Sequence, residues 1–191
     1  MAIIRTTKPG KMLKTLDIEI AVANYFNPRV NLIVPNISWG MGLHECDLLI
    51  LTPSGCAYEI EIKISLSDLK KDMKKLHNHG MDIKDPGCPP WPLSEEAKRN
   101  RQDKIRFLYF TIPDYLLKHK QYIPKQAGIL SIGEGGFIEK IREAKVKSEY
   151  RFTDEEKFNV ARLGTMRIWK LKSKLREMRD VAKQQVNSLY G

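Results

Sequence analysis

Asp47, Glu61 and Lys63 are the residues of this chain whose types and spacing could do chemistry together. They fall in the stretch HECDLLILTPSGCAYEIEIKIS, residues 44–65, which reads as two strands of about 44–52 and 56–65 joined at Pro53-Ser54-Gly55. Side chains alternate along a strand, so Glu59, Glu61 and Lys63 point one way and Tyr58, Ile60, Ile62 and Ile64 the other. Glu45, Asp47, Leu49 and Leu51 share a face of the first strand. With 53–55 as the loop, Thr52 faces Cys56, Asp47 faces Glu61 and Glu45 faces Lys63. Directly opposed residues hold their Cβ atoms about 4.5–5.5 Å apart. Two carboxylates are thereby set side by side, with a lysine just beyond. Opposed like charges are unfavourable without compensation. A hard divalent cation such as Mg2+ supplies it, because it takes carboxylate oxygen and completes its shell with water and phosphate.

Taken alone, Glu59-Ile60-Glu61-Ile62-Lys63 reads more simply as a strand with one solvated face. Asp47, on a different strand, favours the other reading. A solvated face would more comfortably set a lysine or threonine across from a glutamate.

An acidic residue in an N-terminal helix, Glu19, then Asp47 on a strand, then Glu61-Ile62-Lys63 on the next, resembles the signature of the PD-(D/E)xK nuclease superfamily. The element order helix–strand–strand–strand–helix–strand resembles that superfamily's core over residues 11–140, and the nearest branch is the MmcB-like DNA-repair group with similar phage nucleases. Cys46 stands where the motif's proline would be. The resemblance implies a restriction-endonuclease-like α/β core and metal-dependent hydrolysis of DNA phosphodiester bonds. It implies that Asp47 and Glu61, with the Ile62 carbonyl, would hold Mg2+ or Mn2+. Such a metal lowers the pKa of a bound water and neutralises charge on the reacting phosphate. Lys63 would orient that water or hold the phosphate as a point charge. Glu19 either joins the site or is a solvated helix residue, and His44, Glu45 and Glu59 are accessory or simply exposed.

Several elements must position these residues. Leu13, Leu16, Ile20 and Ala23 recur near the helical period over residues 11–26, and Pro28 stops that helix. Residues 30–38 read as a strand. Ser65 and Ser67 are candidate N-caps of a lysine-rich helix over 66–77. A loop rich in proline and glycine covers 78–94, and a basic helix covers 95–105. Phe107–Ile112, Ala127–Ile132 and Phe137–Ile141 read as strands, the last two joined by a turn at 133–136. Thr153-Asp154-Glu155-Glu156 has the capping-box pattern and opens a helical arm to about Asn187, with a break expected at Gly164. The spacing thus predicts a mixed central sheet flanked by helices over 1–145 and a basic helical extension over 150–191.

The net charge of +10 suits a polyanionic partner, and DNA is the partner expected. Lys70, Lys74, Arg99, Lys170, Lys174 and Arg176 are the residues expected to meet phosphate. On the arm, Ile168, Leu171, Leu175, Met178 and Val181/Ala182 fall at helical spacing and form an apolar stripe for core or interface. A non-catalytic nucleic-acid-binding protein of the same fold and a protein adaptor working through the arm are the rival readings. Three cysteines without a Cys-x-x-Cys pair argue against zinc, and Cys46 and Cys56 read as core. No apolar run approaches a membrane span and the N-terminus is no secretory signal, so a cytoplasmic location is expected. His77-Asn78-His79 and the glycines at 133–136 carry no HNH or phosphate-loop chemistry, because the first are too close together and no basic helix follows the second. Oligomeric state leaves no mark in the sequence.

Overall fold

Three stretches of β-branched and aliphatic residues, LIVPNI, CDLLIL and AYEIEI, form consecutive strands, and three more follow after residue 106. The computed structural model describes residues 13–37, 43, 45–72 and 104–190, with side chains to 186. His44, Lys74, Arg99, the loop at 78–94 and all but the end of the helix expected at 95–105 lie outside the described residues.

The elements are α1 (Thr15–Tyr25), β1 (Leu32–Ile37), β2 (Cys46–Leu51), β3 (Ala57–Ile62), α2 (Leu66–Asp72), β4 (Phe107–Pro113), a 3-10 segment (Asp114–Tyr122), β5 (Gly128–Ile132), β6 (Ile138–Arg142) and α3 (Asp154–Tyr190). The six strands form one sheet in chain order. β1, β2 and β3 pair antiparallel, β3–β4 and β4–β5 pair parallel, and β6 returns antiparallel to β5. The protein is therefore α/β, with a mixed sheet flanked by helices, and no described helix is long and apolar enough to cross a membrane.

The two sheet faces carry separate cores. On one, Ile18 and Val22 of α1 pack with Leu48, Ile50, Ile60, Ile62, Tyr109, Leu130 and Ile132. On the other, Leu69 of α2 packs with Leu108, Phe110, Ile112, Ile129 and the 3-10 residue Leu116. The helix face expected from Leu16 and Ile20 is corrected: both are exposed, and the i, i+4 pair Ile18/Val22 meets the sheet instead. The 3-10 segment has no counterpart among the elements expected from the sequence. It begins at Asp114 directly after Pro113, and Tyr115 donates from its hydroxyl to the Ile64 carbonyl at 2.8 Å.

The chain divides into two compact units, Met1–Phe152 and Thr153–Gly191, so the boundary falls just after the expected 145–150. In the second unit α3 runs unbroken through Gly164, against the expected break. One glycine costs about 1 kcal/mol relative to alanine, too little to end a long helix. The capping box at its start is present: Thr153 Oγ1 accepts the Glu156 amide at 3.2 Å, and Glu156 Oε2 accepts the Thr153 amide at 2.9 Å.

Candidate functional site: a buried carboxylate–lysine cluster

The β2–β3 hairpin sets the site. Pairs run Leu51↔Ala57, Ile50↔Tyr58, Leu49↔Glu59 and Leu48↔Ile60, the register expected from the loop at 53–55. Gly55 adopts φ +80°, and the Thr52 amide donates to the Cys56 carbonyl at 3.0 Å, closing the turn. One further step along the register puts Asp47 across from Glu61. Because β2 runs against β3, the beginning of β2 and the end of β3 meet at the same edge of the sheet.

Asp47 Oδ2 accepts the Ile62 amide at 2.7 Å, which ties the two strands together at this edge. Lys63 follows β3, and its amide donates to the Thr111 carbonyl of β4 at 3.0 Å. Its ammonium lies 2.6 Å from Glu61 Oε2 and 3.2 Å from Asp72 Oδ1. Glu59, Glu61, Lys63 and Asp72 are all buried, at 2 %, 3 %, 5 % and 2 % exposure. The solvated-face reading of Glu59–Lys63 is therefore corrected: this face is covered, and α2 helps to cover it.

Asp72 is the residue the sequence did not single out. Ser65 Oγ accepts the Asp68 amide at 3.2 Å and so caps α2. Leu69 and Asp72 are the buried residues of that helix, three apart and thus on one side. A charged residue in step with Leu69 was the available signal.

Two carboxylates, Glu61 and Asp72, thus contact one ammonium, and Asp47 acts on it through its charge. Burial pushes the Glu61 carboxyl up to about 7; Lys63 pulls it back, while Asp47 and Asp72 push it further up. For Lys63, burial alone would lower the ammonium's pKa, but Glu61 outweighs it, with Asp72 and Asp47 adding, so it stays charged. The Cys46 thiol, buried beside this edge, is pushed up by burial first and then by Glu59, Glu61 and Asp47. It is an unreactive thiol, because thiolate is the reactive form.

Glu19 sits half-buried on α1. Burial raises its carboxyl, and the charge of Asp47 raises it further. Glu45 is exposed, and Lys63 turns to Glu61 and Asp72 rather than to it. Glu59 lies inward of Glu61 on the same face, within the core. Cys56 is half-buried rather than core, and its sulfur contacts the Arg151 guanidinium. Of the basic residues expected to meet phosphate, Lys70 is exposed with its ammonium 5.2 Å from the Tyr122 ring centre. Lys170, Lys174 and Arg176 are exposed on α3, as are Ile168, Leu171, Leu175 and Met178 of the apolar stripe.

Among the described residues, no group of three or more histidine, cysteine or acidic side chains is arranged as a ready-made metal cage. The oxygen donors present nevertheless fit a magnesium-type ion, which uses one or two carboxylates and leaves the rest of its shell to water and phosphate. The buried excess of carboxylate over ammonium is the charge such an ion would balance.

No protein-family model matches the chain, and no curated protein matches it. Among solved structures, the SPO1766 protein of unknown function from Silicibacter pomeroyi superimposes with a TM-score of 0.51 at 15% identity. The match covers 91% of this chain and 95% of that one. A likeness at this identity speaks for the fold alone.

Proposed function

We propose that this protein is a metal-dependent DNA endonuclease of the PD-(D/E)xK type, with a restriction-endonuclease-like core. The observation that carries the reading is the meeting of Asp47, Glu61 and Lys63 at one edge of a mixed sheet, two carboxylates opposed across β2 and β3 and the lysine 2.6 Å from the second. Glu19, half-buried on α1, adds a carboxyl that burial raises first and the charge of Asp47 second.

In this reading Asp47 and Glu61, with the Ile62 carbonyl, would hold Mg2+ or Mn2+. The ion's contribution is to make a bound water acidic and to neutralise charge on the reacting phosphate. Asp47 is already oriented by the Ile62 amide, so one carboxylate is fixed before anything binds. Lys63 supplies the positive charge that holds a phosphate oxygen or orients the attacking water. The polar side of α3, with Lys170, Lys174 and Arg176, contributes sequence-independent contacts to the DNA backbone.

The test is to incubate the purified protein with plasmid, single-stranded and branched DNA in Mg2+, Mn2+ or EDTA. Nicking or cleavage in either metal and none in EDTA is expected. Intact DNA in every metal-containing reaction would remove the catalytic reading and leave the non-catalytic one.

A further inference from the structure

The ammonium of Lys63 has two buried ion-pair partners, Glu61 on β3 and Asp72 on α2. We infer that Asp72 is a positioning residue that takes the Lys63 ammonium when Glu61 turns to a divalent cation. This rests on the proposed metal-dependent reading of the same edge.

In the arrangement described, Glu61 Oε2 accepts from Lys63 at 2.6 Å, so a cation drawing on that oxygen competes with the ammonium. Lys63 cannot simply leave. A buried ammonium without a partner is strongly unfavourable, and at 5 % exposure there is little water to replace Glu61. Asp72 Oδ1, 3.2 Å from the same nitrogen, solves this. A small rotation of the long lysine side chain moves its shorter contact from Glu61 to Asp72. The ammonium stays paired, and Glu61 Oε2 is released towards Asp47. Asp72 is fixed for this role by α2, which is capped by Ser65 and anchored in the core by Leu69. Without the Asp72 carboxylate, Glu61 is the one carboxylate left in contact with Lys63 among the described residues, and the ammonium stays on it.

Mn2+ binding, measured by isothermal titration calorimetry on the full chain without DNA, tests this. The variants are Asp72→Asn, Asp72→Glu and the double variant Lys63→Met/Asp72→Asn. Asp72→Asn is expected to weaken Mn2+ binding roughly 10–100-fold, the range typical of groups that orient a metal ligand. Asp72→Glu keeps the negative charge that pairs with the ammonium and should bind within a few-fold of wild type. The double variant should return to near the wild-type affinity, because no ammonium remains to hold Glu61. Wild-type affinity in Asp72→Asn, or an affinity in the double variant as weak as in Asp72→Asn, overturns the inference while leaving the metal site standing. A wild-type protein that binds no Mn2+ overturns both. Should Asp72→Asn not fold, a crystal structure of the wild type with Mn2+ decides. Lys63 Nζ is then expected on Asp72 and away from Glu61, and a lysine still on Glu61 refutes the handover.

Discussion

Asp47 and Ile62 are joined across β2 and β3 by a 2.7 Å hydrogen bond from a backbone amide to a carboxylate. The bond uses a single oxygen of Asp47 and holds the whole group at the edge where Glu61 and Lys63 converge. An amide side chain could accept the same bond. Asp47→Asn should therefore fold with near wild-type stability, within about 0.5 kcal/mol, the range of substitutions that break no special contact. It should lose cleavage nonetheless, since it removes a charge that a metal needs. Glu61→Gln and Lys63→Ala should also drop to background. Plasmid nicking in Mn2+, with circular dichroism as the check on folding, measures this; a folded Glu61→Gln variant cleaving at the wild-type rate would sink the assignment.

Glu61 gives the metal-free protein a pH dependence. Its carboxyl in the fold lies near 7, above the ordinary 4.5, so the folded chain holds this proton more tightly than the unfolded chain does. The associated stability is full below about 4.5 and is lost as pH rises through about 7. Wild type should thus lose stability between pH 5 and pH 8 in EDTA, by an amount that Glu61→Gln does not share. The variant should equal wild type at the acid end and exceed it at pH 8. Urea melts of both proteins across this range decide it, and parallel curves would mean that Glu61 does not titrate there.

Divalent metal should reverse that penalty. A ligand that binds only the folded state stabilises it by mass action, by about 2.7 kcal/mol at a hundred times its Kd. Mn2+ should raise the melting temperature of wild type at pH 8, and raise it less for Asp47→Asn and Glu61→Gln. Equal shifts in all three proteins would place the ions elsewhere.

Replacing Lys170, Lys174 and Arg176 together by Gln tests the arm. Each neutralised phosphate releases counterions, so log affinity falls linearly with log salt. The triple variant should bind DNA of any sequence more weakly and flatten that line by roughly one unit for each phosphate it no longer neutralises. Fluorescence anisotropy in Ca2+ measures the slope. An unchanged slope with unchanged affinity would remove α3 from the DNA-binding surface.

Gly55 controls the register on which the site depends. It has φ +80°, and a Cβ there would lie 2.7 Å from the Phe152 carbonyl oxygen. Gly55→Ala should destabilise by about 1–3 kcal/mol, the usual cost of a non-glycine residue in a sparsely populated backbone region. Chemical denaturation measures it; a loss below about 0.5 kcal/mol would mean that the turn relaxes without cost.

The meeting of Asp47 with Glu61 could be read from the chain alone, because it depends on local rules. Alternation has a period of two, and the loop at 53–55 counts the residues between strands, so a slip by one would turn every side chain over. The strands at 107–113, 128–132 and 138–142 and the cap at Thr153 were legible for the same reason. Burial was not. Glu59, Glu61 and Lys63 carry the pattern of a solvated strand face, and it is tertiary packing, with α2 and the 3-10 segment against that face, that takes them out of water. On α1, two apolar stripes were available, and packing against the sheet selected Ile18 and Val22 over Leu16 and Ile20. Asp72 is distant from Lys63 by no simple period, so its 3.2 Å approach depends on where α2 comes to lie. Short-range periodicity determined which residues share a face; long-range packing decided which of those faces is dry, and so which charges must find partners.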